Sequence, residues 1–500
     1  MKRIIFTIAA LYIVFTIGCR KDLEFTTDGN DKLEFSLDTL RFDTVFTEIG
    51  SATRILKVYN RNKKAIRISR IYVEEGADTK FRFNVDGIAA GEFKDVEILA
   101  EDSIYIFGEV TVDPDEPLSV SPFVINDYLH FEYNGNDDKV TLEAFGQNAN
   151  YIPDHYSKDK LSLLSCDFGE ITWDDPKPYV IYGILFIDSC QLNIPEGTQV
   201  FVHGGIVKAN INGEPTIYNS GMIYTLPDGK INVTGTLENP VVFQGDRLEE
   251  EYDDKPGQWV GIRCGKMSVG NRFEHTIIKN STVGIYADSV SSVAVTNTQI
   301  YNTSSVGMAG IHASITADNC LLYNNYGGGL RLIHGGNYDF NYCTIGSYGI
   351  QAAALGMSNG ICYDEPSICE HNSVYPLNAG FTDCIVMGTG KDEIDLDDFL
   401  GGEDPAYFNY QFKNCIVKVD KLLTYANGLY QDFFDAHCEN CINAKNQDAL
   451  FYNTDDDDYH LDTLSIAEEK AIPLPDITID LEGNTRDAAK PDLGCFEYLY

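Results

Sequence analysis

The sequence between residues 275 and 345 repeats one short segment: HTII at 275–278, NTQI at 297–300, NCLL at 319–322 and YCTI at 342–345. The last residues of these segments are 22, 22 and 23 positions apart. The unit returns as DCIV at 383–386, NCIV at 414–417 and NCIN at 440–443, at intervals of 41, 31 and 26. A period near 22 with one short strand per unit is typical of a β-solenoid, whose stacked coils bury an inner face together.

Alternation along each repeated strand separates inward from outward positions. Successive side chains on a strand point to opposite faces, so the second and fourth residues of each unit point the same way. Coils stack about 4.8 Å apart, so these positions predict two interior columns. The first column is Thr276, Thr298, Cys320, Cys343, Cys384, Cys415 and Cys441, and the second is Ile278, Ile300, Leu322, Ile345, Val386 and Val417. Small Thr and Cys suit a narrow core, where a free Cys behaves as a small hydrophobe.

Further motifs flank the repeats on both sides. LNIPEGT at 192–198, INVTGTLENPVVF at 231–243 and GQWVGI at 257–262 resemble, in this order, the opening coils of the pectate-lyase-like superfold. DLEGNTR at 480–486 with PDLGCFEY at 491–498 resembles the closing motif of secreted β-helix proteins, most of them from Bacteroidota. The resemblance implies a right-handed parallel β-helix over residues 151–500 that ends in a closing segment.

Residues 32–150 predict a separate antiparallel β-sandwich. About seven short alternating segments are separated by turn-rich pieces such as NGND at 134–137, without helical periodicity. LRFDTV at 40–45, VYN at 58–60 and VTLEAFG at 140–146 resemble Ig-like modules of the major-sperm-protein and ciliary type. The expected fold is therefore all-β: an N-terminal Ig-like β-sandwich followed by a right-handed parallel β-helix.

The first 18 residues predict a signal peptide. Lys2 and Arg3 precede an apolar run over 4–17, which suits a signal-peptide core and is short for a membrane span. TIGC at 16–19 resembles a bacterial lipobox, which implies lipidation of Cys19. An ordinary signal peptide with an incidental Cys is the alternative.

Residues 19–31 form a lipidated Cys and a polar tether under this interpretation. Surface lipoproteins of Bacteroidota carry a short acidic export signal after the Cys, whereas Arg20 and Lys21 come first here, before Asp22 and Glu24. The combined resemblance is to lipid-anchored β-helix lipoproteins of that phylum. It implies anchoring in the outer membrane with exposure at the cell surface.

The charge of the chain excludes one class of partner. Acidic residues number 76 against 37 basic ones, for a formal charge of −39. Nucleic-acid binding depends on Lys and Arg displacing counterions from phosphates, so we expect no nucleic-acid partner. The charge is compatible with calcium, with basic partners or simply with solubility.

Two acidic runs are the candidates for a calcium site. Asp455, Asp456, Asp457 and Asp458 offer the oxygen ligands that calcium prefers. Four consecutive carboxylates rarely converge on one ion, so a solvated loop is the favoured interpretation. The same holds for the acidic residues within 392–398. We therefore expect no resident cofactor. The alternative is Ca²⁺ bound at Asp455–Asp458.

No complete catalytic set is visible. HGG at 203–205 and at 334–336 lacks the paired Asp residues and basic element of a glycosidase site and predicts turns instead. Cys438 and Cys441 form a lone Cys-x-x-Cys without the second ligand pair that zinc requires, so packing is favoured. Cys362 and Cys369 are candidates for a disulfide. The sequence predicts no catalytic residue.

The favoured function is a non-catalytic surface lipoprotein that acts as a scaffold or binding component, with an outer-membrane protein assembly as its partner. The alternative is a polysaccharide-binding protein, a polysaccharide lyase or a glycoside hydrolase acting on acidic glycans. Only two Trp residues are present, which gives little sign of a sugar-stacking platform. The long intervals at 346–380 and 388–412 predict projecting loops that contact the partner.

Overall fold

A computed structural model of the protein describes residues 24–46, 51, 53–111, 123–153, 161–166, 169–211, 214–364 and 369–499. Cys19 and the signal peptide lie outside these ranges, and lipidation stays a prediction. The chain divides into two compact units, Met1–Asn148 and Ala149–Tyr500. The first is a β-sandwich and the second a parallel β-helix, which confirms the predicted fold class.

The sandwich consists of two five-stranded sheets. In spatial order, one sheet contains Glu34–Phe35, Arg54–Tyr59, Ser103–Val110, Phe81–Val85 and Ile88–Ala90, and the other contains Thr39–Phe46, Asn136–Gln147, Phe123–Tyr133, Ile66–Val73 and Glu92–Ile98. Alternate residues of both sheets, such as Leu56, Ile106, Ile68 and Phe131, form one buried core. The 3-10 turn Gly76–Asp78 is the helical element described in this unit.

Each coil of the solenoid contributes to three parallel ladders, here called A, B and C. Ladder A contains Asn150–Ile152, Tyr179–Tyr182, Gln199–His203, Val241–Gly245, Thr276–Lys279, Gln299–Thr303, Leu321–Asn325, Thr344–Ser347, Ile385–Gly388, Ile416–Val417 and Ile442–Asn443. Ladder B contains Leu161–Leu164, Ile184–Ile187, Met222–Thr225, Gly261–Cys264, Ile285–Ala287, Leu355–Ser358 and Ile394–Asp397. Ladder C contains Glu170–Thr172, Gln191–Pro195, Lys230–Thr234, Asn271–Glu274, Ser292–Thr296, Leu377–Thr382, Phe408–Lys413 and Cys438–Glu439. Met308–Asp318 and Leu330–Asn341 turn the corner and belong to both B and C.

Short hairpins and helical pieces lie between the ladder strands and in the C-terminal segment. The antiparallel hairpins pair Gly205–Ile211 with Glu214–Ser220, Gly360–Cys362 with Asn372–Val374, and Phe451–Asn453 with Asp458–Leu461. The helical pieces are Glu250–Tyr252, Pro405–Tyr407, Leu422–Gly428, Thr454–Asp456 and the α-helix Phe433–Ala436. Within the ranges given above, no helix is long and apolar enough to span a bilayer.

The predicted interior columns are confirmed. Every member of the Thr/Cys column from Thr276 to Cys415 is at most 1% exposed, and every member of the aliphatic column is fully buried. Cys441 keeps its place in the column and packs against the core, but it is only half-buried because it lies in the last coil. Two disulfides form outside the columns, Cys362–Cys369 and Cys166–Cys190. The first was a sequence candidate; the second is an addition, because the cysteines were treated there mainly as packing residues.

One or two positions before each of the last seven ladder A strands, a residue turns the corner in a left-handed conformation. The φ angles lie between 42° and 60° for His275, Asn297, Asn319, Tyr342, Asp383, Asn414 and Asn440. Asn and Asp tolerate this region because their short polar side chains bond locally. Here the amides also bond between coils, since Asn319 Nδ2 donates to Asn297 Oδ1 at 2.9 Å and Asn440 Nδ2 donates to Asn414 Oδ1 at 3.2 Å.

The C-terminal segment 444–498, here called the strap, covers the outer face of ladder A. Its Leu461, Leu481 and Phe496 contribute to two apolar clusters with outward residues of that ladder. Arg486 enters the corner column where Tyr342 replaces Asn: its guanidinium lies 3.9 Å from the Tyr342 ring centroid and donates to Asn319 Oδ1 at 2.6 Å. The closing segment therefore seals one side of the solenoid.

The predicted projecting loops are only partly correct. The range 346–380 holds ladder strands Leu355–Ser358 and most of Leu377–Thr382, and 388–412 holds Ile394–Asp397 and most of Phe408–Lys413. The sequence repeat marks only the strands of ladder A. The predicted loops therefore included strands of ladders B and C. The segments between ladder strands are the hairpin that pairs Gly360–Cys362 with Asn372–Val374 in one coil, and residues 398–407 in another.

Candidate functional site

The four candidate calcium ligands, for which the sequence favoured a solvated loop, do not converge. Asp456 accepts from Asn453 Nδ2 at 2.7 Å, Asp457 from Asn324 Nδ2 at 2.7 Å, and Asp458 lies 2.6 Å from His460 Nδ1. Asp455 is exposed on the 3-10 turn. Across the described part of the chain, no group of three or more His, Cys, Asp or Glu is arranged to hold a metal ion.

In the acidic segment 392–398, Asp392 and Glu393 accept hydrogen bonds from the backbone. Asp392 Oδ1 accepts from the backbone N–H groups of Asp420 at 2.7 Å and Leu422 at 2.9 Å. Glu393 is fully buried and accepts from the N–H groups of Ala354 and Gly390. Burial raises the pKa of the Glu393 carboxyl. Because their oxygens are directed at the chain itself, these groups are structural.

The strap and ladder A line a half-open cavity of about 750 Å³. Its lining includes the rings of Tyr326, Tyr348 and Phe451 together with the carboxyls of Asp448, Asp455, Asp457 and Asp462. No Lys or Arg lies in its wall, so the cavity is strongly anionic. Two of the predicted acidic residues, Asp455 and Asp457, therefore line a cavity without forming an ion site.

The two HGG segments lie in different settings. His203 ends a ladder A strand, stacks on Tyr182 with 4.4 Å between ring centroids, and bonds to Asp246 at 2.7 Å. His334 and Gly335 turn the corner from ladder B to ladder C with φ angles of 65° and 74°, so the predicted turn is confirmed at 334–336.

Cys438 and Cys441 are half-buried free thiols on the last coil.

An open groove of about 330 Å³, lined mainly by residues with polar side chains, crosses four coils on the outer face of ladder C. The strand register places its residues in rows: Ser314, Asn337, Asn378 and Asn409 form one row, and Thr316, Asp339, Gly380 and Gln411 form the next. Four coils at about 4.8 Å give the groove a length of about 14 Å. These side chains point outward because the residues between them, such as Tyr338 and Ala379, point into the core.

The asparagine row is hydrogen-bonded along its length and still has bonding capacity. Asn378 Nδ2 donates to Asn337 Oδ1 at 3.1 Å, and Asn409 Nδ2 donates to Asn378 Oδ1 at 3.3 Å. An Asn side chain has two N–H donors and two acceptor lone pairs, and these contacts use at most one of each. The amides are therefore held in place by one another while a donor and an acceptor remain on each for a ligand.

Gly380 makes the second row concave. A Cβ at this position would lie 3.2 Å from Asp339 Oδ1, so the carboxyl of Asp339 leans over the glycine. At the far end of the strands, Asn341 Nδ2 donates to Asp318 at 2.9 Å and to Asp339 at 3.3 Å. The pKa of Asp318 is raised, mainly by burial. The amide of Asn341 thus fixes the carboxyl of Asp339 at the edge of the groove.

Sequence reasoning missed this groove. Its residues are single Asn, Thr, Asp and Gln side chains that alternate with core residues and are separated along the chain by 23 to 41 positions. The available signal was the alternation in 314–318, 337–341, 378–382 and 409–413, with polar residues at every second place. Aligning these four segments would have required the ladder C register, which the ladder A repeat does not provide.

Comparison with known proteins finds no matching family model and no matching curated protein. Among solved structures, a PapD-like domain of human CEP192 resembles 27% of this chain over 96% of its own length, at 7% identity and a TM-score of 0.18. A family 123 glycoside hydrolase from Clostridium perfringens covers 38% of this chain and 44% of its own, at 7% identity and a TM-score of 0.16. The catalytic unit of a GH87 α-1,3-glucanase from Streptomyces thermodiastaticus covers 73% of this chain and 74% of its own, at 10% identity and a TM-score of 0.27. At these values none of them indicates what this chain binds.

Proposed function

We propose that this chain is a glycan-binding protein whose ligand lies along the outer face of ladder C. The observation that supports the proposal is the open groove across four coils, lined by amide, hydroxyl and carboxyl side chains in register. A row of amides held in place by one another offers donors and acceptors at the regular spacing of the coils. Such an array is complementary to a chain of hydroxyl groups, since both members of each hydrogen bond are then satisfied.

Charge favours a neutral glycan over the acidic glycans considered from the sequence. Asp339 is the charged side chain in the groove wall, and the whole chain carries −39. A uronic acid placed beside Asp339 would experience like-charge repulsion without a cation to offset it. The ligand class is therefore a neutral polysaccharide or oligosaccharide.

Titration calorimetry against a panel of neutral and acidic oligosaccharides tests this proposal. The double variant Asn378→Ala with Asn409→Ala removes the middle and the end of the row. At about 1 kcal/mol for each lost hydrogen bond, we expect the Kd of the bound glycan to rise at least tenfold. Asn232→Ala is the matched control, because it removes an outward Asn of ladder C that lies outside the groove. Equal loss in the control, or no binding by the unmodified protein across the panel, would refute the proposal.

The cellular location of the protein is a second part of the proposal. We infer from the lipobox resemblance that Cys19 is lipidated and holds the chain in the outer membrane, with the body at the cell surface. Replacing Cys19 with Ser should move the protein from the membrane fraction to the soluble fraction. Protease added to intact cells should degrade the anchored form if it faces outward, and protection of the protein would contradict surface exposure.

A second candidate function is a binding component of an outer-membrane protein assembly. An apolar stripe on the first sheet of the sandwich favours it: Ile55, Tyr105 and Phe107 are between 39% and 51% exposed. Ile55 faces Phe107 across the strand pair, and the Tyr105 and Phe107 rings lie 6.4 Å apart. Isolation from solubilised outer membranes should recover a stoichiometric protein partner that Phe107→Asp loses. Recovery of the chain alone would count against this function.

A further inference from the structure

A polar cluster outside the groove brings a serine and two histidines together at the corner between ladders B and C. His312 and His334 occupy equivalent corners of successive coils, with 6.0 Å between their ring centroids. Tyr375 packs against both rings at 4.2 and 4.7 Å. The hairpin strand Asn372–Val374 carries Ser373 onto this corner. The cluster therefore depends on three coils and one insertion.

The contact at the centre of the cluster is a Ser–His hydrogen bond. Ser373 Oγ lies 2.6 Å from His334 Nε2 and 2.8 Å from the hydroxyl of Tyr363. Ser373 and His334 are both half-buried, and Tyr363 and Tyr375 beside them are 65% and 42% exposed, so the pair is open to solvent on one side. A serine hydroxyl within hydrogen-bonding distance of an imidazole nitrogen is the arrangement by which a base activates a nucleophile.

The imidazole of His334 is in the form that such a base needs. Burial, together with the neighbouring His312, lowers the pKa of His334 below its usual 6.5. The ring is therefore neutral at pH 7, and Nε2 accepts the hydrogen bond from Ser373 when the ring proton is on Nδ1. Tyr363 then donates to Ser373 Oγ and holds the hydroxyl oxygen in place.

The pair lies beside the proposed glycan groove. Ser314 and Asn337 line the groove and follow His312 and His334 by two and three residues. At about 3.3 Å per residue, the groove begins within about 10 Å of the histidines. The backbone N–H of Gly336 donates to Pro376 O at 2.9 Å, which ties the end of the hairpin segment to this corner. A substituent projecting from a glycan in the groove would reach the serine.

We propose that Ser373 and His334 form a nucleophilic pair that cleaves carboxylic esters carried by the bound glycan. Ser373 Oγ bonds to the ester carbonyl carbon while its proton passes to His334 Nε2. The carbonyl carbon–oxygen bond to the sugar breaks, and the sugar oxygen takes that proton and leaves as a hydroxyl. Water then loses a proton to Nε2 as its oxygen bonds to the acyl carbon. The bond from that carbon to Ser373 Oγ breaks, Oγ takes the proton from Nε2, and the carboxylic acid leaves. The choice of a glycan ester as substrate depends on the proposed function; the reactivity of Ser373 does not.

A fluorophosphonate probe tests the serine directly, since Ser373 Oγ bonds to phosphorus as fluoride leaves. Within the structurally described chain, no carboxylate contacts His334, and an orienting Asp contributes up to about 10⁴-fold to turnover. A single-turnover label is therefore a more sensitive readout than ester hydrolysis. We expect the label on the peptide that contains Ser373, none in Ser373→Ala, and labelling at least about tenfold slower in His334→Gln, because a general base typically contributes 10²–10⁴-fold.

His371→Gln is the matched control, because His371 lies on the same hairpin and its ring is paired with Asp364 at 3.0 Å instead of with Ser373. Its labelling should equal that of the unmodified protein, and melting curves establish that each variant is folded. No label on Ser373, or equal labelling in folded His334→Gln, would overturn the proposal. Labelling by the probe requires no glycan, whereas calorimetry tests the groove, so failure of the serine and failure of the groove are distinguishable.

Discussion

Asp383 provides a quantitative test of how the strap is held. It is fully buried at the ladder A corner beneath the strap, where its Oδ1 accepts from the backbone N–H of Ile472 at 3.1 Å and from Asn414 Nδ2 at 3.3 Å. Its Oδ2 has no hydrogen-bond partner within the described chain. Burial raises the pKa of this carboxyl from 3.8 to about 6. The charged form is therefore disfavoured in the folded protein.

The direction of the pH dependence follows from proton binding. Between pH 3.8 and about 6 the folded state holds a proton that the unfolded chain has lost. The contribution of Asp383 to stability is therefore lost as pH rises through this window and is constant above it. A shift of about two pKa units corresponds to about 3 kcal/mol, of which about 2 kcal/mol falls between pH 4 and pH 7.5.

Asp383→Asn removes the ionisation and keeps the size and an acceptor oxygen. The free energy of unfolding of the variant minus that of the unmodified protein should increase by about 2 kcal/mol from pH 4 to pH 7.5. A pH-independent cost of the substitution does not affect this change with pH. Burial also raises the pKa values of Asp492 and Glu497, but their contributions to stability are present in both proteins and cancel in the difference.

Urea unfolding followed by tryptophan fluorescence measures the effect in the solenoid alone. The two Trp residues, Trp173 and Trp259, both lie in the solenoid unit, so the sandwich contributes no Trp signal. Asp435→Asn, at an exposed carboxyl, is the control and should show no comparable pH dependence. A stability difference for Asp383→Asn that stays constant with pH, or that decreases as pH rises, would refute the reasoning.

Four further measurements test the interpretation of the fold. Replacing Cys166 and Cys190 with Ser opens a cross-link between residues 24 apart and should lower the free energy of unfolding by about 3 kcal/mol in urea; an unchanged midpoint would contradict the pairing. Arg486→Met leaves the carboxylate of Glu497 buried beside a neutral side chain and should cost about 3–5 kcal/mol, with faster proteolysis of the strap as a second readout. Phe381→Ala removes the middle ring of an interior stack and should cost about 3–5 kcal/mol, where a loss below 1 kcal/mol would indicate that the core collapses around the gap. Millimolar calcium should leave the melting temperature unchanged, because the acidic run does not converge; a rise of several degrees would restore the calcium hypothesis.

The ladder A repeat was predictable because two local requirements coincide in each unit. The corner requires a residue that tolerates positive φ, and Asn or Asp occupies five of the seven corners. The next positions require small and then aliphatic inward side chains, which Cys343 and Ile345 illustrate. Both requirements are expressed within four consecutive residues, so the sequence pattern alone locates the strand and its register.

Ladders B and C were harder to predict from the sequence because their inward positions accept residues of very different size. Ala317, Phe340 and Phe381 occupy equivalent inward places of ladder C in successive coils. No single residue type recurs there, and the interval between coils changes by up to 19 residues where the hairpin is inserted. The predicted partner loops were too long for this reason.

The sequence by itself determined the all-β class, the two units, the ladder A register and the burial of most cysteines, because each follows from short-range alternation and backbone preference. Tertiary structure alone decided the Cys166–Cys190 pairing, the position of the strap, the groove with its row of amides, and the contact between Ser373 and His334. These features join residues that stacking brings within a few ångströms, although 23 to 41 positions separate them along the chain in the groove and 39 separate Ser373 from His334. Outward side chains are not constrained by the core, so their arrangement becomes defined only when the coils are in register.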